Sequence, residues 1–105
     1  MSEKYSEEIQ NLAKIAKALG HPARLEILNV LHKQNACFCG NIVEELPLSQ
    51  STVSQHLKEL KSSGLIQGEI DPPKVRYCIN EGNWNAAKKL FDKFFDLKGS
   101  ENGNK

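Results

Sequence analysis

Cys37, Cys39 and Cys78 are the only cysteines in the chain, and the first two stand two positions apart. An odd number with that spacing is no disulfide framework. It suits soft-metal ligation, redox exchange or simple packing. If residues 36–39 form a short strand beside another over 75–79, alternation turns Phe38, Val75, Tyr77 and Ile79 inward. Cys37, Cys39 and Cys78 then face outward together, with cross-strand Cβ atoms about 5 Å apart. Three thiolates would suit a thiophilic ion such as As(III), Cd or Zn, acting as an effector and not as a required cofactor. A reversible disulfide is the other chemistry, and inert filling of small half-buried positions is the third reading.

A second group of residues offers hydrogen bonds in place of thiol chemistry. On a helical wheel over 49–63, Ser51, Gln55, Lys58 and Ser62 share one face, flanked by Thr52, Ser54 and Glu59. Val53, Leu57 and Leu60 form the opposite stripe. Short hydroxyl and amide side chains can approach base edges in a DNA groove. Lys58, Lys61, Lys74 and Arg76 would engage phosphates on either side. The same face could equally be a solvated helix surface.

The elements that must position these groups are legible from periodicity and punctuation. Ile9, Leu12, Ala13, Ala16 and Leu19 recur at helical spacing over 6–19, behind Ser6 as N-cap and with Gly20 closing the segment. Pro22 opens a second helix over 22–33, whose Leu25, Ile27, Leu28, Val30 and Leu31 leave little polar face. A short third helix is expected over 40–46, stopped by Pro47. Ser49 caps the fourth, which runs to Ser63 with Gly64 and Leu65 as a Schellman ending. The period then falls to two around Asp71-Pro72-Pro73-Lys74, which predicts a hairpin with a loop longer than two residues. A fifth helix, from 81–84 to 97, gathers Trp84, Ala87, Phe91, Phe94 and Phe95 on one stripe, wider than a small core needs. A partner subunit would explain that width.

A short helix, a turn and a polar-faced helix make a helix-turn-helix, and the hairpin after it makes a wing. The expected fold is therefore mainly α with a small β-hairpin wing, in one domain over 1–98 with a disordered tail over 99–105. Fourteen Lys+Arg against thirteen Asp+Glu give a net charge of +1, so a polyanionic partner must be met by local placement. No apolar run would span a membrane, and the polar start lacks a secretory pattern, so a cytoplasmic protein is expected. No nucleophile elbow, phosphate-binding glycine loop or H-E-x-x-H is present, which argues against an enzyme. An interaction module that reuses the fold without DNA is the remaining class, and Ser51, Gln55 and Lys58 argue against it.

The stretches Ala18-Leu19-Gly20-His21-Pro22-Ala23-Arg24-Leu25-Glu26-Ile27-Leu28, Cys37-Phe38-Cys39, Leu48-Ser49-Gln50-Ser51-Thr52-Val53-Ser54-Gln55-His56-Leu57-Lys58-Glu59-Leu60 and Gly64-Leu65-Ile66 resemble the ArsR family of winged-helix repressors. The resemblance spans about residues 8–97. It implies a homodimer through the first and last helices, and a recognition helix at 49–63 in the major groove. It further implies a wing near 71–76 at the DNA backbone, and an autorepressor released by an inducer, often a metal or metalloid. An imperfect palindrome in double-stranded DNA is the expected target. Gln50, Ser51, Thr52, Ser54 and Gln55 fall where the family contacts DNA. His56 matches a family histidine near the core edge of its helix, where phosphate contact and packing both remain open. Arg24 matches a family position, with a salt bridge on its own helix as the plainer reading.

Cys37 and Cys39 match the family's C-x-C, with departures. Ile42 stands where the arsenite form has its third cysteine, and Gly40-Asn41 stand where an acidic residue is often found. The first helix offers no Cys or His. The histidines are His21, His32 and His56, so the last helix has none, and its Asp92/Asp96 pair is a poor zinc site.

Overall fold

A computed structural model describes residues 4–39, 46–71 and 74–96. Within them the order is α1 (Glu7–Leu19), α2 (Pro22–Lys33), β1 (Cys37–Cys39), α3 (Gln50–Ser63), β2 (Ile66–Asp71), β3 (Lys74–Ile79) and α4 (Glu81–Phe95). Four helices thus stand among the described residues where five were expected. The short helix expected over 40–46 and the tail over 99–105 fall essentially outside them.

Each helix begins where a side chain can take up an orphan backbone N–H. Ser6 accepts from the Ile9 amide at 3.1 Å, Ser49 from Thr52 at 3.2 Å, and Asn80 from Asn83 at 3.0 Å. On α2 the cap is His21, whose Nδ1 accepts from the Ala23 amide at 3.0 Å ahead of Pro22. Gly64 ends α3 in the left-handed region, at φ 90°. Its carbonyl accepts from Asn83 Nδ2 at 2.9 Å, which ties the end of α3 to α4.

The sheet runs β1-β3-β2, antiparallel throughout. Pairing continues from Ile66↔Ile79 to Asp71↔Lys74, so only residues 72 and 73 join the strands, against the longer loop expected. Composition places Asp71 and Lys74 in the turn, but a backbone ladder recruits residues of low strand propensity when the flanking pairs are set. Gly68 lies opposite Tyr77. A Cβ there would collide with the Tyr77 ring and the Arg76 carbonyl, which accounts for glycine in mid-strand.

The core lies between α2, α3 and the inner sheet face. Ile27, Leu31, Val53, Leu57 and Leu60 pack there with Leu65, Ile66, Tyr77 and Ile79. The α1 stripe departs from expectation: Leu12 and Ala18 are buried, while Ile9 is 45% exposed and Ala13 and Ala16 are open. On α4, Ala87 is buried and Trp84 packs against the core, but Phe95 is 70% exposed. Leu25 of α2, expected inside, is also exposed. The Lys93–Glu8 pair joins α4 to α1 at 3.1 Å, with both side chains in solvent and hence of little energetic weight.

Candidate nucleic-acid interface and thiol site

The outer face of α3 carries Gln50, Ser51, Ser54, Gln55 and Lys58, all exposed. Thr52 is half-buried. Its hydroxyl accepts from Ser49 Oγ at 2.9 Å, and Ser51 Oγ lies 3.3 Å from the same Ser49 oxygen. The cap therefore organises two of the residues aimed outward at the start of the helix.

The expected cations divide. Lys58 and Arg76 are exposed. Lys61 is exposed too, but its Nζ donates to the Gly68 carbonyl at 2.8 Å and so holds the wing against α3. The side chain of Lys74 lies outside the described residues; its backbone closes the wing ladder opposite Asp71.

His56 is 9% exposed, the packing alternative of the two left open. Arg24 Nη1 lies 3.3 Å from His56 Nδ1, and the His21 and His56 ring centroids are 4.4 Å apart. Burial first, then the nearby His21 and Arg24 charges, hold the His56 pKa below 6.5. A neutral imidazole with a free Nδ1 lone pair can accept the guanidinium proton, which the charged ring cannot. Arg24 makes no salt bridge on its own helix; its Nη2 reaches the Lys17 carbonyl at 3.5 Å, and its buried Nε has no partner. A contact between α2 and α3 thus replaces the local ion pair that sequence suggested. Periodicity gave no sign of it, nor of the His21 cap or the Lys61 tie, since each depends on how separate elements meet.

The cysteines meet across β1 and β3. Cys37 pairs with Cys78 in the ladder, at a Cα separation of 4.0 Å, and the two are joined as a disulfide. Cys39 pairs by backbone with Arg76, and its side chain lies outside the described residues. Among the described residues no group of three or more His, Cys, Asp or Glu is placed to hold a metal ion. Cys37 and Cys78, bonded to each other, are not thiolates in this arrangement. A surface concavity of about 360 Å³ lies alongside, lined by Gln67, Gly68, Arg76 and Cys78. No helix among the described residues is long and apolar enough to cross a membrane.

Comparison with known proteins decides the class. A profile described as "Bacterial regulatory protein, arsR family" matches residues 21–67, from α2 to the start of the wing. The transcriptional repressor PagR of Bacillus anthracis is 40% identical over 84 residues, covering 80% of this chain and 84% of PagR.

The chain belongs to the ArsR family.

Its members are helix-turn-helix transcriptional regulators, which is not a class of enzyme, and DNA binding is implied by that membership. The arsenical resistance operon repressor of Staphylococcus xylosus is 35% identical over 71 residues, covering 68% of this chain and 67% of the repressor. The crystal structure of PagR superposes with a TM-score of 0.60 at 30% identity, covering 79% of this chain and 94% of PagR. The ArsR-type fold, mostly helical with an antiparallel wing, is thereby shared in three dimensions as well as in sequence.

Proposed function

We propose that this ArsR-family regulator is a cytoplasmic homodimer that represses its own gene by binding an imperfect palindrome. The reading rests on the exposed face of α3, where Gln50, Ser51, Ser54, Gln55 and Lys58 stand together without a carboxylate among them. Such a face can hydrogen-bond base edges, while Arg76 on the wing would reach an adjacent phosphate. The open apolar residues support a dimer through α1 and α4. Ile9, Phe94 and Phe95 are exposed, and an apolar cleft of about 280 Å³ between these helices is lined by Ile15, Leu19, Trp84 and Phe91 among others. Two recognition helices would then sit about 34–36 Å apart. The test is fluorescence anisotropy with a labelled duplex from upstream of the gene. Tight, salt-sensitive binding above random DNA is expected; equal binding to both would overturn the reading.

Release is assigned to the cysteines. A thiophilic ion would need Cys37 and Cys78 reduced, with Cys39 as a third thiolate. The disulfide between Cys37 and Cys78 favours the second reading, in which redox state is the input. A Cys37→Ser, Cys39→Ser double variant should still bind DNA but ignore both arsenite and a change of redox state. A normal response in that variant would move sensing elsewhere.

A further inference from the structure

The geometry points to the Cys37–Cys78 disulfide as a reversible couple opened at Cys78 by a small thiol that carries an anionic group, with Arg76 as its docking cation. The regulatory half of this inference rests on the DNA-binding function proposed above; the exchange chemistry does not.

Three observations converge. Cys78 is the half of the disulfide that lines the concavity, and Arg76 lines it too. The two residues stand on the same face of β3, two positions and so about 7 Å apart. That distance fits a thiol with a carboxylate a few bonds from its sulfur. Gln67, paired with Cys78 across the ladder, is fixed beside it by accepting from Asn80 Nδ2 at 3.1 Å, and Gly68 completes the lining. Finally, the two cysteines are held differently. Cys78 sits on the central strand, whereas Cys37 sits on the edge strand β1. β1 is reached through two consecutive non-glycine residues in the left-handed region, Asn35 at φ 60° and Ala36 at φ 74°. Ala36 is a residue that does not adopt that region freely. Its amide and carbonyl are pinned by bonds to the Leu31 carbonyl and the Ile79 amide, each 2.7 Å.

The exchange balances as two steps. The incoming thiolate attacks Cys78 Sγ, forms a mixed disulfide there and expels Cys37 as a thiolate, which takes up a proton. A second small thiolate attacks the outer sulfur of the mixed disulfide. It leaves as the small-molecule disulfide and returns Cys78 as a thiol. Two electrons pass from two small thiols to the protein. Once cut, β1 is held to β3 by backbone bonds alone, at the end of the left-handed lead through Asn35 and Ala36. The chain running from β1 toward α3 then loses its covalent tie to the wing. A recognition helix and wing held in one arrangement bind DNA with less ordering cost than a loosened pair, so the oxidised protein is the tighter binder.

The test compares reduction of the oxidised, folded protein by 3-mercaptopropionate, 2-mercaptoethanol and cysteamine. Each rate is divided by the rate for the same protein unfolded in urea, which removes differences in intrinsic reactivity. The anionic thiol should be favoured over the neutral one about threefold, the range of an exposed ion pair, and the cationic thiol disfavoured. Added salt should erode the preference. Arg76→Gln should abolish it and Arg76→Lys should retain most of it. An unchanged ratio in Arg76→Gln overturns the docking role. Failure of mild oxidant to remove two hydrogen atoms from the intact mass of the reduced protein overturns the couple itself. Anisotropy then compares the oxidised and reduced wild type on the upstream duplex. Binding at least threefold tighter when oxidised, lost in Cys37→Ser, Cys78→Ser, supports regulation; equal or reversed affinities overturn it. No DNA binding in either state would refute the proposed function and leave the exchange result standing.

Discussion

Lys58 and Lys61 are one helical turn apart and look interchangeable as phosphate ligands, but their surroundings make them opposites. Lys61 already gives its ammonium to the Gly68 carbonyl at 2.8 Å, whereas Lys58 is exposed with no partner among the described residues. Each phosphate neutralised changes the slope of log K against log salt by about 0.9. A dimer presents Lys58 twice, so Lys58→Ala should flatten that slope by about 1.8. Extrapolated to about 1 M salt the counterion effect vanishes, and at about 0.1 M the same change amounts to roughly 60-fold weaker binding. The loss should be the same on cognate and random DNA, because a phosphate carries no sequence. Lys61→Ala should leave the slope near its original value and instead lower thermal stability by loosening the wing from α3. Anisotropy titrations at four or more salt concentrations separate the two variants. Equal flattening by both, or an unchanged slope in Lys58→Ala, would refute the division of labour between them.

Gln55→Ala should alter sequence preference while leaving the salt slope intact; equal losses on cognate and random duplexes would remove it from base reading. The depressed pKa of His56 makes stability depend on pH. The unfolded chain takes up a proton that the folded one resists, so the His56 contribution is whole above about pH 6.5 and is lost as pH falls below it. Urea melts at about pH 7.5 and about pH 5.5 should show a smaller acid loss in His56→Gln than in the wild type. Ser49→Ala removes the acceptor for the Thr52 amide and should cost about 1 kcal/mol by denaturant unfolding. Gly68→Ala should cost about 1–3 kcal/mol, since the new methyl meets the Tyr77 ring and the Arg76 carbonyl. A neutral result there would mean that the wing strands can part without penalty.

Local chemistry made the boundaries of α3 readable, because Ser49 and Gly64 each answer a need of the helix end itself. The wing was readable for the same reason, apart from its loop, where Asp71 and Lys74 join the ladder despite their turn-forming character. Ile9 shows where such reading stops. Its spacing marks it as apolar-face, yet spacing does not say which surface that face meets, and within this chain it meets solvent. His56 is similar: a wheel put it at the core edge, and only the approach of Arg24 and His21 from α2 decided its surroundings. Strand alternation puts Cys37, Cys39 and Cys78 on one outward face, but that Cys37 is the one opposite Cys78 depends on the β1–β3 register, and the concavity beside it on Gly68 and Arg76 arriving on adjacent strands.

Asn83 gives α3 and α4 a common joint. Its backbone amide is held by Asn80 in the first turn of α4, and its side chain holds the Gly64 carbonyl at the last turn of α3. The Asn80 amide adds a second pin, to the Leu65 carbonyl at 2.9 Å. The start of α4 and the end of α3 therefore share one set of backbone partners, and the Ser49 end of α3 lies about 21 Å from that joint at 1.5 Å per residue. The helix that carries the exposed aromatics Phe94 and Phe95 is thus fastened by its other end to the same helix that carries the outward polar face.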